Sequence, residues 1–220
     1  QQEFGTCVFD VTLDCEDGAP VGGEAEHAAL VTEMALQADP SAHVAVRVHP
    51  VDHPSFAADV ATIVGQAGAR LRHVMVPKVE SSADVAVAAA ALDRAGHPEL
   101  PLHVLVMDFV SAHAGAIPAS GMGVAGQFTH PLVVRAKLEI ASACHAHGKV
   151  PSHCVVTEFS DTQAMRRAAE RAARELGYTR MWSIHPAQIR PILEAMAPDA
   201  EAIEQASAIL LAAIDAQWAP

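Results

Sequence analysis

Short apolar, β-branched runs alternate with longer helical patterns along the whole chain, and no other feature constrains the fold as much. Residues 8–13 read as a strand that ends in the acidic cluster "DCED", and "EAEHAALVTEMALQ" behind Gly22 and Gly23 reads as a helix. "HVAVRVHP" is the next strand, stopped by Pro50, and residues 55–66 form a helix with Phe56, Val60, Ile63 and Val64 at helical spacing. "RHVMVPKVES" leads into an alanine-rich helix over 83–94. Further on come a helix over 131–147, the strand in "PSHCVVTEFSD", and a helix capped by Asp161 and closed by Gly177. "RMWSIHPAQIRPILEAM" supplies a last strand and a short helix, and a final helix covers 200–216.

Repeated strand–helix units predict a mostly parallel sheet with helices outside it, as a closed (β/α)8 barrel or an open doubly wound sheet. The polar residues favour the barrel. Asp14, Glu16, Asp17, Arg47, His49, Lys78, Glu80, Asp108, Glu158 and His185 all fall at or just beyond the C-terminal ends of strands. A barrel gathers such residues on one rim, whereas an open sheet divides them between two faces. The expected organisation is a (β/α)8 catalytic domain over residues 1–198, followed by a C-terminal helix over 199–220.

The strand count is short of eight. In "LPLHVLVMDFVSAH" one strand over 102–106 runs straight into a second over 107–110. Parallel neighbours need a crossover of about a dozen residues or more, usually a helix, and none lies between Val106 and Met107. The expectation is an incomplete barrel, with a βα unit lost or omitted there.

Charge and cysteine usage narrow the function classes. A formal charge of −12 argues against a nucleic-acid surface, because phosphate backbones call for an excess of Lys and Arg. Cys7, Cys15, Cys144 and Cys154 form no C-x-x-C pair and read as reduced thiols. The first residues lack a basic segment followed by an apolar one, and no apolar run approaches bilayer length. A soluble, cytoplasmic protein without a membrane contact is expected.

In "LDCED" the two-residue period of a strand puts Asp14 and Glu16 on one face, with Asp17 opening the turn. Such acids suit a hard cation such as Mg2+, which takes one or two carboxylates and keeps several waters. They equally suit pairing with Arg47 or Lys78, or capping of a helix. Arg47 emerges from a buried strand, where it is either half of an ion pair or a fork for a carboxylate or carbonyl. Lys78 and Glu80 share a face and read as a structural pair. "GMGVAG" matches G-x-G-x-x-G, but Pro118 argues against a strand before it and Glu139 comes too early for the ribose acid, so a flexible active-site loop is the preferred reading. The thirteen histidines show no metal spacing. His145 and His147 point apart on a helix, and Pro50 and Pro54 place His49 and His53 in a loop. His185, at the last strand's end, is a ligand-binding candidate or a structural imidazole.

Taken in order, "VTLDCEDGAP", "VAVRVHP", "VMVPKVES", "MDFVSAHAGAIP", "VVTEFSD" and "WSIHPAQI" resemble the citrate lyase β-subunit-like branch of the HpcH/HpaI aldolase superfamily. The resemblance implies a (β/α)8 barrel, a Mg2+ cofactor, a homotrimer or hexamer, and a lyase acting on the C–C bond of acyl-CoA thioesters such as malyl-, citramalyl- or citryl-CoA, with a 2-oxo acid as the second small molecule. By position it makes Asp108 the metal-ligand Asp, Arg47 the substrate-binding and catalytic Arg, and Glu16 and Asp17 the acidic pair near the metal and its waters. His185 is carried as a substrate-binding candidate. Arg70, Arg72, Arg135 or Lys137 would neutralise the CoA phosphates.

Three departures accompany the resemblance. The family's second metal ligand, a Glu, would fall between Val106 and Met107 together with a helix and a short strand. Its first strand would precede residue 8. Its C-terminal lid, which brings an acid to a neighbouring subunit's site, would follow residue 220. The loop "SAHAGAIP" differs from a typical citrate lyase subunit, which counts against citryl-CoA. A thioester hydrolase on the same scaffold, and a catalytically lapsed barrel serving as a binding subunit, are the competing expectations.

Overall fold

A computed structural model of the chain describes residues 5–106, 126–157 and 160–218. It divides into two compact units, residues 1–114 and 115–220, each with its own core.

The first unit is a four-stranded parallel sheet in sequence order, made of β1 (Val11–Asp14), β2 (Val44–Arg47), β3 (Leu71–Val79) and β4 (Leu102–Val106). The connections are α1 (Glu24–Gln37), α2 (Phe56–Asp59) with its irregular continuation, and α3 (Ser82–Arg94). Such crossovers are what parallel pairing requires. Val44, Val46, Val48, Val74 and Val76 point one way from the sheet and pack with Ala28, Val31, Ala35, Phe56, Ile63 and Leu92 of the helices. Each large apolar side chain buried there contributes roughly 1.5–3 kcal/mol. β1 begins later than the pattern over 8–13 predicts. Val11 is opposite Val44, where β2 begins, so earlier residues have no rung to join.

The helix expected over 55–66 is not continuous. After Asp59 the chain makes a π-helical turn at Val60–Val64, then short helical turns at Gly65–Ala67 and Gly68–Arg70. The wider turn buries Val60, Ile63 and Val64 together. α3 is closed by a capping box, in which the Ser81 hydroxyl accepts from the Asp84 N–H and the Asp84 carboxylate accepts from the Ser81 N–H.

The second unit contains α4 (Pro131–Ala146), β5 (Ser152–His153), α5 (Thr162–Arg174), β6 (Arg180–Met181), α6 (Ile189–Met196) and α7 (Ala200–Asp215). β5 and β6 pair in parallel. Pro131 sits in the first turn of α4, where its missing N–H costs nothing. Asp161 caps α5 as expected, its Oδ1 accepting from the Ala164 N–H at 2.9 Å. Gly177 ends that segment at φ 76°, a left-handed value that glycine adopts without strain. Val156, Met165, Ala168, Ala169, Ala172 and Ile192 form the core. α7 buries none of its residues.

Candidate active site

The strand-end charges of the first unit converge on Arg47. β1 and β2 are in register with Asp14 opposite Arg47 at their C-terminal ends, where the ladder stops and both side chains lean over the sheet edge. Arg47 Nε donates to Asp14 Oδ1 at 2.7 Å and Nη2 to Oδ2 at 2.5 Å, a side-on fork. The same carboxylate accepts from the backbone N–H groups of Glu16 at 2.9 Å and Gly18 at 2.8 Å as the chain turns around it. A Cβ on Gly18 would lie 2.5 Å from Asp14 Oδ2, so the turn requires glycine. His27 of α1 reaches back to the Asp14 carbonyl at 2.8 Å and ties the helix to the strand end.

Two more acids face the other edge of the guanidinium. Nη1 lies 3.0 Å from Glu16 Oε2 and 3.4 Å from Asp17 Oδ2. The Glu16 side chain is only 6% exposed and Asp17 is open to solvent at 71%. The Lys78 ammonium approaches Glu16 Oε1 to 2.5 Å. Despite these contacts, neither buried Glu16 oxygen receives a hydrogen bond of regular geometry. Those lone pairs suit water on a hard cation.

The electrostatics keep the group charged. Burial alone would raise the Asp14 pKa, but the Arg47 hydrogen bonds, the two backbone N–H groups and the guanidinium charge outweigh it and hold Asp14 below the usual carboxylate value. Burial likewise works against the Arg47 cation and is overcome by Asp14, Glu16 and Asp17. The Glu16 contact raises Lys78. Behind the site, burial and then the nearby Asp59 and Asp14 push the Cys15 thiol up to about 12, so it stays a thiol in the core.

The acids of "DCED" thus meet Arg47 and Lys78 directly, as one of the two expected arrangements has them. Lys78 turns to Glu16 rather than forming the structural pair with Glu80 that spacing suggests, since its backbone lies at φ 55° instead of an extended value. His49, just past Arg47, is claimed by a residue spacing did not pair with it: its Nδ1 lies 2.6 Å from Oδ2 of the buried Asp59. His53 stacks on the His49 ring at 4.1 Å. In the second unit His185 caps the turn Pro186–Gln188, its Nδ1 accepting from the Ala187 N–H at 3.2 Å. The loop is held by buried Gln188, whose amide accepts from the Ile184 N–H at 2.9 Å and donates to the Val156 carbonyl at 2.7 Å. Asp108 and Glu158, the second of the overlong run's two strands (107–110) and most of "GMGVAG" lie outside the described residues. Among the described residues no three His, Cys, Asp or Glu side chains are placed to hold a metal ion by themselves.

Acids and a clamped arginine at the C-terminal ends of consecutive parallel strands stand where (β/α) barrels and open α/β sheets place their active sites. No protein-family model matches the chain. It is 30% identical to an L-malyl-CoA/β-methylmalyl-CoA lyase of Cereibacter sphaeroides, over 94% of this chain and 77% of that protein. A citrate lyase crystal structure from Burkholderia xenovorans superposes with a TM-score of 0.85 at 44% identity, covering all of this chain and 78% of that one. A Mycobacterium tuberculosis citrate lyase β subunit, solved with oxaloacetate and magnesium, shares the fold at 23% identity and a TM-score of 0.62, over 86% of each chain. The chain belongs to the citrate lyase β-subunit-like family of carbon–carbon lyases, in the HpcH/HpaI superfamily, and carries that family's (β/α)8 barrel in incomplete form.

Proposed function

We propose that the protein is a Mg2+-dependent lyase that cleaves or forms β-hydroxyacyl-CoA thioesters of the malyl-CoA or citramalyl-CoA kind, releasing or consuming a 2-oxo acid. The observation that carries the reading is Arg47 held side-on by Asp14 among Glu16 and Asp17 at the strand ends. The likeness to the malyl-CoA lyase supports the acyl-CoA substrate.

In cleavage the substrate hydroxyl loses its proton, the adjacent C–C bond breaks, and its electron pair moves onto the thioester carbonyl as an enolate. Asp14 fixes the plane of the Arg47 guanidinium from the Nε and Nη2 side, and the Nη1 edge, which rests against Glu16 and Asp17, would turn its charge to that oxyanion. Asp17, open to solvent, is placed to exchange the proton, and buried Glu16 holds Nη1 between turnovers. Asp108 would hold the Mg2+, with Glu16 and Asp17 taking its waters, consistent with the Glu16 lone pairs that lack regular hydrogen bonds. When bound, Mg2+ supplies a Lewis acid for the hydroxyl or carbonyl oxygen of the 2-oxo acid portion. His185 is the substrate-binding candidate of the second unit.

The same reading makes the protein a cytoplasmic homotrimer or hexamer. No helix among the described residues is long and apolar enough to cross a membrane. The test is a panel of malyl-, citramalyl- and citryl-CoA with Mg2+, following 2-oxo acid and free CoA separately. Release of glyoxylate or pyruvate with acetyl-CoA supports the lyase, free CoA without a 2-oxo acid indicates a thioester hydrolase, and inertness with all three indicates a binding subunit.

A further inference from the structure

Lys78 is one of three non-glycine residues with positive φ among the described residues, and of these it is the one that lies within a strand. In the pairing of β3 with β4, Val76 is opposite Val104 and Val79 opposite Val106. Three steps on β3 thus match two on β4, and the extra residue is a bulge that contains Pro77 and Lys78. Such bulges re-aim a side chain. A left-handed backbone is strained for Lys and unstrained for Gly, and Pro77 cannot donate to the ladder beside it. The strain accompanies one specific contact, the ammonium 2.5 Å from Oε1 of Glu16, a carboxylate 6% exposed whose other oxygen faces Arg47 Nη1 at 3.0 Å.

We propose that Lys78 is a positioning residue of the lyase site, its left-handed bulge aiming the ammonium at Glu16 so that Glu16 in turn fixes the Nη1 edge of Arg47. This rests on the assignment of Arg47 and Glu16 to the site made above. Strain kept where glycine would relieve it marks the side chain as the reason for the conformation. The ammonium balances one of the three acids around Arg47, so its loss removes one of the two cations that face the buried Glu16.

Three variants test the proposal. Lys78→Met keeps length and strain without charge, Lys78→Gly removes both strain and charge, and Lys78→Arg keeps both. In a crystal structure of Lys78→Met the Glu16 carboxylate is expected to leave Arg47 Nη1, a readout that needs no substrate. On the substrate the wild type cleaves, kcat is expected to fall about 10–100-fold in Lys78→Met and Lys78→Gly with KM changed much less, and to recover at least partly in Lys78→Arg. Lys78→Gly should melt above Lys78→Met, since the two differ mainly in backbone strain. Glu16 unmoved in the Met crystal with kcat at the wild-type level would overturn the proposal, as would Lys78→Gly melting no higher than Lys78→Met. A wild type inert on every thioester would remove the lyase reading alone, because the crystal and melting comparisons still decide the role of Lys78.

Discussion

Two clusters carry buried cations, and they solve the burial problem in opposite ways. In the first unit Arg47 is enclosed by Asp14, Glu16 and Asp17, and every shift that results keeps the ions charged. In the second unit Lys137, 7% exposed, has no carboxylate among the described residues. Its ammonium donates to His153 Nε2 at 2.8 Å and Gln127 Oε1 at 3.3 Å and lies over the Phe128 ring. Burial pulls Lys137 down, and burial together with Lys137 pulls His153 down to about 4. The first arrangement preserves charge for chemistry at a strand end, while the second tolerates charge inside a core. The contrast is between a cation held by carboxylates near the surface and one held without them in a core.

The largest effect should come from Arg47→Lys. It keeps the charge but loses the side-on fork with Asp14, and kcat on the thioester substrate should fall about 100-fold or more. A parallel loss in Lys137→Met would erase the distinction between the clusters, since Lys137, a CoA-phosphate candidate by sequence, is buried against His153 and Gln127.

Next comes His153 in the pH dependence of stability. Its folded pKa lies below its unfolded value of 6.5, so the unfolded chain takes up a proton first as the pH falls. Stability should decline between about pH 6.5 and pH 4 by up to about 3 kcal/mol and then level off. Urea titrations across that range should show the decline in wild type and a flatter profile in His153→Gln. Asp14 acts in another window. Its folded pKa is depressed, so its contribution is fully present above the unfolded value of 3.8 and is lost as the pH falls through the folded one. A single acid transition confined below pH 4 would contradict the assignment to His153.

Gly18→Ala should cost about 1–3 kcal/mol in the same titrations, because its Cβ meets Oδ2 of an Asp14 carboxylate whose two oxygens are held by two donors each. The smallest effect is expected from Lys137→Met, within about 1 kcal/mol of wild type or slightly stabilising, since it removes a buried charge that meets no carboxylate among the described residues. A large loss there would mean that the His153 contact outweighs the desolvation of the amine.

Much of the site was legible because strand ends can be read locally. The run "VAVR" announces a buried strand ending in a cation, "LDCED" announces acids on one face, and Asp161 before "TQAMRR" announces a cap. Other features left no local mark. The π-helical turn at Val60–Val64 answers packing on the sheet, and the Asp59 claim on His49 depends on where that irregular helix returns. Pro77 hints at a break in β3, yet nothing before it specifies a left-handed residue or the Glu16 partner.

The sequence by itself determined the alternation of strands and helices, the family, and the acids and arginine at the strand ends, because periodicity, caps and short motifs act over a few neighbouring residues. Only the tertiary structure decided that Arg47 forks onto Asp14, that Glu16 stands between two cations, and that Lys137 meets a neutral histidine. These partners are far apart in the chain and are matched by sheet register and by bulges. A shift of one residue in that register would send the same side chains to the opposite face.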